Sequence, residues 1–153
     1  MIEISNILLL SSSLILGIFL GAQIAEACLF VPIWKKMNPD DFFEQHESVG
    51  PIIYRFFAPI TIAATVIPLI AVLVNLVFNS NQLMLLYILA GATLIFFSTY
   101  FLYFKKANQM FADRSISNED LENELVRWGN WHWFRIIFEA IAFLSTVTIL
   151  LIR

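Results

Sequence analysis

The chain has 153 residues, of which 59% are hydrophobic and only 14% charged, with a net charge of −3. Soluble domains are nearer half apolar and a quarter charged, so this composition excludes an ordinary water-soluble enzyme and points to lipid as the solvent. No basic tail or charge run suits a nucleic acid, and the single cysteine, Cys28, excludes an internal disulfide and a cysteine-rich metal site.

Four apolar stretches follow one another, at residues 7–33, 52–78, 83–104 and 131–152. A membrane span needs about 20 such residues, so all four are long enough. The expected fold is all-α: an integral membrane four-helix bundle with short amphipathic cytoplasmic helices, in one domain covering residues 1–153. Ala25-Glu26-Ala27-Cys28 has the outline of a cleavage site, but Met1-Ile2-Glu3 is acidic and the first run is too long for a signal peptide. Cys28 is therefore expected to pack as a small apolar residue. After the first span, Asn38-Pro39-Asp40-Asp41 reads as a turn with Asn38 or Asp40 capping a helix. Residues 42–49 form either a short surface helix or the start of the second span. Pro59 and Pro68 predict kinks in that span. The neutral residues 79–82 join spans two and three so tightly that the two helices must be antiparallel neighbours. Ser117 and Asp120 have the spacing of a helix start leading through Leu121 and Leu125 into Trp128.

Basic residues set the expected orientation. Lys35, Lys36, Arg55, Lys105, Lys106, Arg114, Arg127 and Arg135 all lie in or beside the first and third connections; Arg153 is the exception. By the positive-inside rule those connections are cytoplasmic and both termini lie outside, in what we expect to be a bacterial inner membrane.

The densest chemistry opens the last span, at Trp128, Trp131, His132, Trp133, Arg135 and Glu139. His132, Arg135 and Glu139 stand at i, i+3 and i+7 and share one helix face. Charged groups in a membrane are costly, and mark a site by default. At about 1.5 Å per residue, Glu26 lies about 12 Å inside Trp34, with Glu139 at a similar depth on span four and Arg55 on span two. The two histidines, His46 and His132, are placed at the cytoplasmic mouth. The expectation is a cavity open to that side, with Glu26, Glu139, Arg55 and Arg135 pointing inward, and Tyr54 near them as a wall or interfacial residue. A rim position would let His132→Ala keep the fold. Two histidines with Glu26 and Glu139 also suit a single iron, copper or zinc ion. The same four charges sum to zero, so they equally suit a structural ion-pair network.

The segment Trp128-x-x-Trp131-His132-x-x-Arg135 resembles the anthrone oxygenase-like family of small four-span membrane proteins. Gly17, Gly21 and Pro32 in span one, Asn108 after span three, and Trp128, His132 and Arg135 match its pattern. Phe104 and Lys106 stand where the family has an asparagine and a proline. Glu26, His46 and Glu139 have no counterpart in the pattern. The resemblance implies an oxygenase or oxidoreductase acting on a planar, apolar phenolic compound with dioxygen. In that reading His132 is the base, Arg135 holds the developing oxyanion, Glu139 or Glu26 orients one of them, and Arg55, Trp128, Trp131, Tyr54 and Asn108 contact substrate. Catalysis then needs either no cofactor or one transition metal. Partners would be membrane lipid and an apolar small molecule. Two other classes remain open: a non-catalytic membrane subunit or assembly factor, working as a homo-oligomer or with a partner membrane protein, and a small carrier or proton path through Glu26 and Glu139.

Overall fold

The computed structural model describes residues 2–78 and 82–152. Four helices, α1 (Glu3–Trp34), α2 (Pro39–Val77), α3 (Leu83–Ala112) and α4 (Asn118–Leu151), are each long and apolar enough to cross a membrane. Among the described residues there is no strand. The protein is an all-α four-helix bundle. Helix α1 packs against α2 and α4, and α3 packs against the same two. The helices therefore stand in a square, each beside its neighbours in sequence. Of the neutral connection expected to force α2 and α3 together, residues 79–81 lie outside the described residues; the packing of α2 on α3 is present.

The segments expected on the cytoplasmic side are not separate surface helices. Residues 42–49 are the first turns of α2, and residues 118–130 the first turns of α4. Helices α2 and α4 each start on a side-chain cap. Asn38, rather than Asp40, accepts the N–H of Asp41 at 3.0 Å, and Ser117 accepts that of Asp120 at 3.2 Å. Pro51, Pro59 and Pro68 all sit inside α2 without ending it. Each removes one N–H, a loss that helices in a membrane bundle tolerate because neighbours support the backbone.

Two wide π-turns interrupt this regularity, at Glu26–Phe30 in α1 and at Tyr100–Phe104 in α3. Such turns often mark functional sites. Both lie toward the same end of the bundle.

Packing in lipid relies on close van der Waals contact through small residues, because lipid tails are as apolar as leucine. Accordingly the mid-bundle core alternates Leu9, Leu16, Phe19, Leu86, Leu89 and Phe96 with Ala64, Ala71 and Ala142. Only 28–33% of the most apolar stretch of each helix is buried inside the bundle, so most of each span faces outward to lipid. A second core, built on Phe42, Phe104, Phe111, Leu121, Leu125 and Trp128, ties the first turns of α2 and α4 to the end of α3. Cys28 is exposed rather than packed: it lies two residues beyond the buried Glu26, turned away from it within the π-turn.

Of the glycines in the family-like pattern, only one is placed by packing. A Cβ on Gly17 would lie 3.1 Å from the Phe143 ring, whereas one on Gly21 would meet nothing within 4 Å. Gly17→Leu is therefore expected to cost about 1–3 kcal/mol through overpacking, and Gly21→Leu to be near neutral. Melting curves of the two variants in one detergent check this; equal stability would mean that the α1–α4 approach has no weight.

Candidate functional site

A cavity of about 740 Å³ opens at the end of the bundle where α2 and α4 begin. Helices α2 and α3 make its side walls, with Phe42, Tyr54 and Phe57 facing Phe97, Tyr100 and Phe104. Its back wall is α1 and α4, which contribute Gln23, Glu26, Trp34, Trp128 and Arg135. The volume falls in the range of sites that enclose a small organic molecule, and the pattern of aromatic walls with few polar groups is usual for them.

The polar groups of the back wall form one connected set. His132 is 0% exposed, and its Nε2 lies 2.9 Å from the backbone oxygen of Gln23. A carbonyl only accepts, so Nε2 carries the proton. Nδ1 is then the acceptor, and the Arg135 Nη2 donates to it at 2.9 Å. The same nitrogen donates to Oε1 of Gln23. The guanidinium carbon sits 4.4 Å from the centre of the Phe104 ring, in cation–π geometry. Neither Nη1 nor Nε makes a hydrogen bond among the described residues; Nε is turned to Glu139, and Arg135 lines the cavity. Nη1 is the donor left for a ligand.

Glu26 begins the α1 π-turn, is 5% exposed, and also lines the cavity. Its Oε2 stands 3.7 Å from His132 Nε2, close enough for electrostatic contact and too far for a hydrogen bond. Behind Arg135, Glu139 is fully buried with Oε1 3.6 Å from the Arg135 Nε, and neither of its oxygens has a hydrogen bond. Glu139 does not line the cavity. It neutralises the guanidinium from the far side.

A further chain of contacts holds this set from the side where α4 begins. Asn108 accepts from the Trp128 Nε1 at 3.0 Å, the Trp128 face stacks on His132 with centroids 4.8 Å apart, and His132 in turn holds Arg135. Trp34 meets the Trp128 ring edge-on at 5.7 Å.

Several sequence expectations need correction. His132 is not at a rim but enclosed by Trp128 and Phe104, because α4 begins far enough upstream to lay its own Trp128 over the ring. With Nε2 protonated and Nδ1 accepting from Arg135, it has no free lone pair and cannot serve as the base. Arg55 does not point inward: it is exposed and absent from the cavity wall. It lies two residues, about 200° of helix, from both Ile53 and Phe57, which do face the cavity. From there its long side chain can reach the headgroup level. Trp131 faces away from the cavity and stacks on Tyr103 at 5.2 Å. His46 is near the mouth as expected, stacked on Phe42. Tyr54, Asn108 and Trp128 line the cavity. Gln23 was missed; a glutamine inside a span, three residues before Glu26, was its signal.

The donor set does not fit a metal. Among the described residues no group of three or more His, Cys, Asp or Glu side chains is gathered closely enough to hold an ion. Both His132 nitrogens are already engaged, and His46 belongs to a separate aromatic cluster with Phe42 and Phe111. Comparison of the chain with family profiles, curated proteins and solved structures found no match.

Proposed function

We propose that this protein is a membrane-embedded oxygenase-type oxidoreductase of the anthrone oxygenase-like kind, acting on an apolar aromatic molecule with an acidic methylene beside a carbonyl. The observation that carries the reading is the pairing, on one wall of an aromatic cavity, of a carboxylate without a hydrogen bond and a guanidinium whose Nη1 makes none either. The residues that suggested the family, Asn108, Trp128, His132 and Arg135, form one contact chain, which supports it further.

Glu26 removes a proton from the methylene, and the electron pair left behind becomes an enolate whose oxygen meets Nη1 of Arg135. Preorganised charge of this kind lowers the barrier most in a site shut off from water. The enolate carbon is oxidised by dioxygen, which enters as a co-substrate and is reduced as the C–O bond forms. Protonated Glu26 returns its proton to the peroxide. Loss of water from that hydroperoxide, taking the remaining C–H proton as the O–O bond breaks, leaves a ketone. One dioxygen is consumed, one oxygen atom entering the product and the other leaving as water. His132 and Gln23 are positioning residues that fix the guanidinium plane. Oxygen uptake by the purified protein in nanodiscs with an anthrone-type substrate tests the reading. Glu26→Gln, which keeps shape and removes the base, is expected to lower the rate by about 10²–10⁴-fold; an unchanged rate would remove Glu26 from the chemistry.

Glu139, enclosed beside Arg135 and off the cavity, favours a structural role for part of the network. By the positive-inside rule the cavity mouth opens to the cytoplasm and both termini lie outside, in our reading of the chain as a bacterial inner-membrane protein. In a Cys28→Ser background, a cysteine at position 115 should react with an impermeant thiol reagent only from the cytoplasmic side, and one at position 80 only from outside. The opposite pattern would invert the topology.

A further inference from the structure

The cavity is longer than a compact planar ligand requires. Its α3 wall runs from Phe96 to Ala112, about 24 Å at 1.5 Å per residue. It is also open sideways: Tyr54 and Ile62 on α2 and Phe101 on α3 line it while being 61%, 59% and 61% exposed. Most of that side faces the bilayer. The slot changes character along its length. Toward mid-bundle it is bounded by Phe57, Ala58, Phe96 and Phe97, and the one hydroxyl there, on Thr61, is already bonded to the Phe57 carbonyl. Toward the mouth it presents His46, Glu47, Lys105 and Gln109. Gln23, Glu26 and Arg135 stand where the two halves meet, beside Phe104.

We infer that the slot takes a single-chain amphiphile directly from the membrane through the gap between α2 and α3. Its hydrocarbon chain lies in the apolar half, and its acidic or enolic oxygen is held by Nη1 of Arg135. The inference goes beyond the proposed function by replacing a compact aromatic ligand with a long-chain one, and rests on that function's reading of this cavity as the substrate site. An apolar half without a free polar group gains nothing from a hydrophilic ligand, and burying chain methylenes there is favourable. Buried Gln23 and Glu26, 1% and 5% exposed, supply the polar end at the depth where such a head would arrive.

The experiment uses the full chain in phosphatidylcholine nanodiscs, kept free of oxygen. The probe is a sixteen-carbon fatty acid with a mid-chain diazirine and a terminal alkyne, cross-linked by light and mapped by mass spectrometry. Labelling is expected on residues 57–62 and 96–101, competed at least tenfold better by palmitate than by benzoate or hexadecanol. Ala58→Phe, which fills the apolar half, should reduce that labelling at least tenfold. The competitor order in the wild-type protein decides the same point if this variant does not fold. Labelling confined to the outer helix faces, indifference to Ala58→Phe in a folded variant, or benzoate equal to palmitate would overturn the inference. Equality of hexadecanol with palmitate would overturn the assignment of the acidic head to Arg135. Slot labelling in a protein that consumes no oxygen would keep the amphiphile and remove the oxygenase. Oxygen uptake with a compact planar substrate and no slot labelling would do the reverse.

Discussion

Arg135→Lys should reduce oxygen uptake by about 10²–10³-fold, the cost of losing one preorganised donor to a developing oxyanion, while the protein remains folded. The guanidinium makes one nitrogen serve Gln23 and His132, lies over Phe104, and leaves Nη1 without a hydrogen bond on a residue that lines the cavity. An ammonium has the charge to balance Glu139 but not the planar fork to meet all of these at once. Arg135→Ala is different in kind. It leaves Glu139 buried without a counter-charge, a loss of about 3–5 kcal/mol. Changing Arg135 and Glu139 to leucine together should restore most of that stability, because apolar replacement of a buried pair is often neutral, without restoring activity. Melting temperature and oxygen uptake on the three variants separate the roles. A fully active Arg135→Lys protein would show that the fork is not used.

His132→Ala should lower stability by about 3 kcal/mol as well as activity. The ring is 0% exposed, stacks on Trp128 and donates to the Gln23 carbonyl, so truncation leaves both a void and an unpaired acceptor. His132→Phe fills the void but leaves the carbonyl and Arg135 without their partner. It should recover a large part of the stability and little of the rate. Thermal unfolding in detergent checks the first expectation. If His132→Ala melts with the wild type, the ring is not the packed strut described.

Composition and hydrophobic run length by themselves determined the solvent, the all-α class and the four spans, because lipid permits few backbone solutions and long helices are the simplest. The caps at Asn38 and Ser117 were equally legible, since they rest on local hydrogen bonds. The i, i+3, i+7 spacing correctly put His132, Arg135 and Glu139 on one face. What the spacing could not decide was which neighbours that face would meet. Only the bundle set the Gln23 carbonyl against His132, and with it the tautomer that removes His132 from the role of base. Only the rotation of α2 sent Arg55 outward while Ile53 and Phe57 faced the cavity. Depth along a helix follows from counting residues. Direction across the bundle depends on how four helices pack, and the π-turns at Glu26–Phe30 and Tyr100–Phe104 alter it locally without a sequence signature.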